Sequence, residues 1–421
     1  MITIEPAPRA LVPVDSAAAD ALGAPNYDEF QGDREIYDLL QAKPDSVLRV
    51  TMAHCDAASP DSILEADSEA SLERAAANMA SVVADPRTRE LQDVLWICEI
   101  SGPRRPGVRQ IGLGGLARTA EIRTPQHRNG PVIRNEGIRE SKAKGRARLI
   151  QRIGAIVDGV NNAVDDASGL LQRELEHYAD ATAPSFQTTD EAGWLHRIWI
   201  VQDTAAIERL RSVLAREPHA YVADGNHRSA AAAMLGYAHY MAVFFPARTM
   251  HISPYNRLVS ASVGPVDVAD AALGASFAVE PYTDGGAFQP VATHEIGLYD
   301  GRAWWRLRPR PGTYDPGDAA QDIDADIVQR RLFRDVFGIS DARDERLTFV
   351  GGNRSAAWLQ ANVDAGEPGC AITLPAVTMD QFIRVCMQDR LMPPKSTWFE
   401  PKLRSGLIMA LLNDAVAPWS G

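Results

Sequence analysis

Apolar residues along this chain alternate in some stretches and recur at helical spacing in others, and the two periods divide it into alternating strands and helices. Val47–Met52 (VLRVTM) alternates and predicts a short strand. Leu72, Ala76, Met79 and Val83 recur every three or four residues in a segment without Gly or Pro, which predicts a helix. Two apolar runs, Val94–Ile100 and Val108–Ala117, flank GPRRPG and predict a hairpin. A helix is expected from Ile138 to Val157, its apolar face formed by Leu149, Ile150, Ile153, Ile156 and Val157. Arg139, Lys142, Lys144, Arg146 and Arg148 stand in its first half.

Downstream, Ile198–Val201, His219–Ala223 and Tyr240–Phe245 read as strands, separated by amphipathic Thr204–Leu214 and Ala-rich Ser229–Leu235. This β-α-β-α-β order predicts a sheet with helical crossovers. From about Val266 the pattern gives strands in ATHEIGLYD and AWWRLRP, a helix near Ile323–Phe337, a strand at Leu347–Val350 and a helix near Met379–Gln388. The fold class is therefore α/β with mixed α+β character.

Composition adds limits. The chain has 421 residues, enough for two or three domains at roughly 150 each. Its formal charge of −12 lacks the electrostatic footprint of a DNA or anionic-membrane binder, although a local basic pocket remains compatible with it. Four scattered cysteines without Cys-x-x-Cys spacing indicate neither a disulfide framework nor a structural zinc site. The N-terminal stretch mixes acids and prolines where a signal peptide needs basic then apolar residues, so a cytoplasmic location is expected.

Three local patterns carry chemistry. In Tyr221–Ser229 (YVADGNHRS) an apolar strand stops at Asp224, Gly225 frees the backbone to turn, and a helix begins. A helix N-terminus beside Arg228 suits a phosphate, and Asp224 could hold a metal or orient a hydroxyl; a simple helix cap with solvated His227 and Arg228 gives the same pattern. Arg134-Asn135-Glu136-Gly137 precedes the basic helix, which makes Glu136 either a dipole partner or a general base. In Met392–Leu403 three prolines stiffen a loop carrying Lys395, Ser396, Thr397 and Lys402, with Trp398 and Phe399 as anchors or core plugs. His294-Glu295 lacks a second histidine for a metalloprotease motif. Gly112-Leu113-Gly114-Gly115 falls inside the hairpin and makes a poor dinucleotide fingerprint.

PNYD (Pro25–Asp28), the basic helix introduced by Asn135-Glu136, ADGNHR (Ala223–Arg228), NRLV (Asn256–Val259) and MPPKSTWFEPKLRSGL (Met392–Leu407), taken in order, resemble the domain of unknown function 1015 family. The resemblance covers nearly the whole chain. The family usually reads PPYD, HE and ADGHHR, and here Asn26, Asn135 and Asn226 replace Pro, His and His. The order HE then DGHHR is similar to a wider superfamily of ParB-like nucleotide-binding domains, sulfiredoxin and free-serine kinases.

The resemblance implies a ParB/serine-kinase-like nucleotide-binding core at 123–260 between α/β regions at 1–122 and 261–421. It also implies ATP or ADP with Mg²⁺ as cofactors and a small-molecule substrate such as a free amino acid; from the net charge no nucleic-acid or membrane partner is expected, and a homo-oligomer is open. In these terms Glu136, Asp224 and His227 are catalytic, and Gly225, Asn226, His227, Arg228 and Ser229 bind the nucleotide. Lys395, Ser396, Thr397, Lys402, Tyr27, Asp28 and Arg257 meet the substrate, and Asp224 holds the metal. Phosphoryl transfer to a small-molecule hydroxyl is the leading expectation. A nucleotide-binding switch without turnover and a catalytically inactive pathway protein are the alternatives.

Overall fold

The computed structural model describes residues 1–124, 127–137, 139–366 and 368–412. The chain is a mixed α/β protein that divides into two compact units. The first takes 1–134, 138–250 and 401–421, and the second 135–137 and 251–400. The division does not follow the expected boundaries at 122 and 260, because the N-terminal hairpin strands lie in one sheet with the strands of 160–246.

Among the described residues the first unit holds an eleven-stranded sheet. Its spine is the expected hairpin, Thr88–Ser101 paired antiparallel with Gln110–Arg118. Val94–Ile100 is buried throughout, as a central strand covered on both faces requires. The glycines opposite it make room for aromatics: a Cβ on Gly114 would lie 2.0 Å from the Trp96 indole, its register partner, and one on Gly112 would lie 2.6 Å from Phe245. Sheet packing, not phosphate binding, thus accounts for the Gly-rich run. The strand His239–Pro246 continues the sheet beside Gln110–Arg118, and Val160–Val164 separates it from Ala220–Asp224.

Three elements differ from expectation. Val47–Met52 is not a strand; Leu48–Thr51 is helical and Ala53–Cys55 forms a 3₁₀ turn. Val47, Leu48 and Val50 are all fully buried, while Asn78 holds Arg49 by its guanidinium at 2.9 Å and its carbonyl at 2.7 Å. Tertiary packing overrides the local alternation here. The basic helix spans Glu140–Ile153, stopped by Gly154 at φ +64°, so Ile156 belongs to the strand Ala155–Ile156. Ile138, where that helix was expected to begin, lies outside the described residues. Near 323–337 a short α-helix, Asp324–Val328, runs into a π-helical segment, Gln329–Arg334.

The second unit is built on a six-stranded antiparallel sheet that includes Asn256–Ser260, Leu347–Val350 and Pro368–Thr373. Leu258, Val350, Leu359 and Ala371 form its core with Tyr299 and Trp304. A separate two-stranded ladder pairs His251–Ser253 with Trp398–Glu400.

Candidate functional site

The strand Ala220–Asp224 delivers Asp224 to the sheet edge opposite Asn161, and the helix Asn226–Met234 starts two residues later. Gly225 between them has φ +105°, and a Cβ there would lie 3.1 Å from Arg228 Nε and 3.2 Å from Val160 Cα. The turn therefore needs glycine for both its backbone angle and its space.

Four charges meet at this turn. The Arg228 guanidinium donates to Asp224 and to the Gly159 carbonyl. Lys402 Nζ lies 3.2 Å from Asp224 Oδ1 and 3.5 Å from Asp28 Oδ2. Arg228 and Lys402 are both about 8% exposed, so little solvent screens these pairs. Burial opposes the Arg228 charge, but Asp224, Tyr27, Asp158 and Asp28 outweigh it and hold the guanidinium above its ordinary range. Asp158 accepts from the Ser405 hydroxyl, and Arg228 Nε is buried without a hydrogen-bond partner.

Beside Asp28, burial pushes the Glu29 carboxyl up to about 7, with Lys402 opposing and Asp28 adding to the rise. Three of the sequence motifs, PNYD, ADGNHR and the PKLRS end of the C-terminal motif, thus converge within the first unit.

His227 Nε2 accepts the Arg139 N–H at 2.9 Å, so its proton sits on Nδ1 and the ring anchors the start of the basic helix. Ser229 is fully buried and donates to the Asn226 carbonyl. Both oxygens of Asp224 are engaged, by Arg228 and by Lys402. Two cations already neutralise this carboxylate, and its arrangement does not fit the Mg²⁺ ion expected on it.

Two cavities of about 30 and 220 Å³ lie along the basic helix and share Thr51, Arg146 and Leu149. Arg228, Asp158 and Tyr240 line the smaller; Tyr27, Lys142 and His54 line the larger. Leu149, Ile150 and Ile153, expected on the helix's apolar face, line the smaller cavity, Ile153 also packing against the core around Val47 and Leu48, while the helix buries the small residues Ala143, Gly145 and Ala147. The Arg146 guanidinium stacks 3.8 Å over the Tyr27 ring and donates to the Thr51 carbonyl at 3.2 Å. Among the described residues no carboxylate pairs with Arg146.

The remaining expected site residues belong to the second unit. Glu136 forms a parallel bridge with Met392, whose N–H donates to the Asn135 carbonyl at 2.9 Å. Arg257 is 2% exposed and donates to the carbonyls of Tyr255, at 2.7 Å, and Lys395, at 3.0 Å. Burial pulls this guanidinium down to about 10. It holds the loop backbone in place. Lys395 has φ +58° and its ammonium lies 5.5 Å from the Tyr255 ring centre, while the Ser396 hydroxyl donates to Pro393. Thr397 is half-buried and leads into Trp398 and Phe399, which plug the core at 2% exposure.

Sequence reasoning did not single out Glu29, Asp158 or Ser405, and did not distinguish Arg146 from the other basic residues of the helix. Glu29 had a signal: Asn26-x-x-Glu29 is capping-box spacing, and Glu29 accepts the Asn26 N–H at 2.7 Å. Asp158 had none, being one acid among many.

The site therefore defines a mixed α/β protein with a buried acid–base cluster at a helix N-terminus and a cation-lined recess beside it. The profile of the family described as protein of unknown function (DUF1015) matches residues 4–332, and the chain belongs to that family. No curated protein matches it significantly. Similar solved structures include a free serine kinase in complex with AMP, at 11% identity and TM-score 0.36 over 66% of this chain and 89% of the kinase. SbnI with a C-terminal truncation, from Staphylococcus aureus, matches at 10% identity and TM-score 0.36 over 70% and 87%. A conserved hypothetical protein from Pyrococcus furiosus matches at 11% and 0.35 over 66% and 92%. At these TM-scores none of them transfers an activity to this chain.

Proposed function

We propose that the first unit binds a nucleotide, ATP or ADP, and that the chain transfers a phosphoryl group from it to the hydroxyl of a small molecule, a free amino acid such as serine being the leading candidate. The observation that carries this reading is Arg146. A guanidinium paired with no carboxylate among the described residues, stacked on Tyr27 and lining both cavities, is an anion receptor with its orientation already fixed. Lys142 lines the larger recess.

Arg228, with a buried Nε unpartnered, faces the smaller cavity from the start of the helix Asn226–Met234. Phosphates placed between Arg146 and this turn would meet guanidinium donors and a positive helix end. Phosphoryl transfer asks of a protein mainly positioning and charge neutralisation, and this inventory supplies both. The order of the sequence motifs supports the kinase reading.

The test is calorimetric titration of the full chain with ATP and ADP, followed by mass-spectrometric detection of phosphorylated amino acids. Arg146→Gln should weaken nucleotide binding by roughly 10- to 150-fold, the worth of one charge-assisted contact at about 1.5–3 kcal/mol. A folded variant with unchanged affinity removes Arg146 from the site. Binding without product moves the protein to the nucleotide-switch class.

A further inference from the structure

A second constellation faces the larger cavity, and the nucleotide reading does not use it. Asp33, His54 and Cys55 bring a carboxylate oxygen, an imidazole nitrogen and a thiol sulfur within 4.8 Å of one another. Asp33 opens the helix Asp33–Ala42, whereas His54 and Cys55 are adjacent in the 3₁₀ turn Ala53–Cys55. That turn is pinned from two sides. The His54 carbonyl accepts the Leu64 N–H at 3.1 Å, and Arg74 donates to the Asp56 carbonyl at 2.6 Å. His54 is 5% exposed and Cys55 fully buried, so their donor atoms have little freedom, while the Asp33 side chain is 55% exposed and can adjust. Asp33 and His54 both line the larger recess.

We propose that Asp33, His54 and Cys55 form a site for a first-row transition ion of the Zn²⁺ type, with three protein ligands and the fourth position open to the recess. Sulfur, nitrogen and oxygen donors in one set suit Zn²⁺ and its neighbours and disfavour Mg²⁺ or Ca²⁺, which take oxygen ligands. Bond lengths of roughly 2.0 Å to nitrogen and oxygen and 2.3 Å to sulfur place tetrahedral ligand atoms about 3.3–3.7 Å apart. His54 Nε2 and Asp33 Oδ1 are already 3.3 Å apart. Closing the rest needs at most about 1 Å of movement among the three donors. On binding, the Cys55 S–H bond gives way to a sulfur–metal bond and the proton passes to solvent. The fourth ligand is water or an anionic oxygen of whatever fills the recess, where Lys142 and Arg146 also stand.

The full chain, freed of metal with a chelator, is titrated with Co²⁺ alone and watched by absorption. The expected result is one ion bound per chain, with a thiolate-to-cobalt charge-transfer band in the near ultraviolet and the intense visible bands of a tetrahedral ion, all reversed by Zn²⁺. Cys55→Ser should lose the charge-transfer band with its circular dichroism unchanged, since Cys98, Cys370 and Cys386 remain. His54→Gln should bind Co²⁺ at least about tenfold more weakly. A wild-type chain without the charge-transfer band, or a band that survives in Cys55→Ser, overturns the site. Neither result bears on nucleotide affinity, so failure here and failure of the nucleotide reading are separable.

Discussion

Replacing Glu29 with glutamine isolates a single titration in the buried cluster. The Glu29 carboxyl accepts the Asn26 N–H at 2.7 Å beside Asp28, and burial raises its pKa from an ordinary 4.5 to about 7. The folded chain therefore holds the Glu29 proton more tightly than the unfolded chain does. The stability this contributes is fully present below about pH 4.5 and is lost as pH rises through about 7. A rise from 4.5 to about 7 corresponds to roughly 3 kcal/mol at 1.36 kcal/mol per unit.

Glutamine keeps the shape and the acceptor for Asn26 and cannot ionise. Glu29→Gln should thus match the wild type near pH 4.5 and exceed it by up to about 3 kcal/mol at pH 8 and above. Urea unfolding of both proteins at a series of pH values measures the gap, and the other titrations cancel in the difference. A gap that stays constant from pH 4.5 to 8.5 would refute the placement of Glu29 in a desolvated site.

Other substitutions probe the remaining assignments. Trp398→Ala empties a core position filled against Tyr255 and Gly351, and should cost about 3–5 kcal/mol in denaturant unfolding; a cost under about 1 kcal/mol would mean the site collapses freely. Gly225→Ala puts a side chain on φ +105° and against Arg228, so nucleotide affinity should fall together with stability, and a variant as stable as wild type would contradict the turn geometry. Glu136→Gln tests the base role that the family resemblance implies: turnover should drop roughly 10²–10⁴-fold with nucleotide affinity kept, and near-wild-type turnover would discard that role.

The elements with strong periodicity were legible, because burial imposed their pattern. Thr204–Leu214 and the hairpin around GPRRPG follow directly from apolar spacing and turn residues. Val47–Met52 misled because Val47, Leu48 and Val50, all buried in one core at a short helix, imitate alternation. The turn at Asp224–Arg228 was legible as a strand-Gly-helix junction. Its partners were not, since Lys402 reaches Asp224 from 178 positions away and also pairs with Asp28, and no local period encodes such contacts. The apolar face Leu149, Ile150 and Ile153 was legible, but its place on a cavity wall was not, because hydropathy does not separate a cavity wall from a packed interface.

The first unit is interrupted: the chain leaves it after Met250 and returns at Pro401. Its returning segment supplies the strand Met409–Leu411, which inserts between Ala7–Pro13 and Ala155–Ile156 with Ala10 opposite Ala410. During synthesis, Ala7–Pro13 must therefore wait with one edge unpaired until nearly the whole chain has emerged. Contacts of such sequence separation form late and leave the waiting edge open to wrong partners. The same returning segment carries Lys402, the cation between Asp28 and Asp224. A nascent chain halted before residue 401 thus lacks a sheet strand and leaves these two acids short of a counter-charge, so the acid–base cluster and the sheet reach completion in the same late step of synthesis.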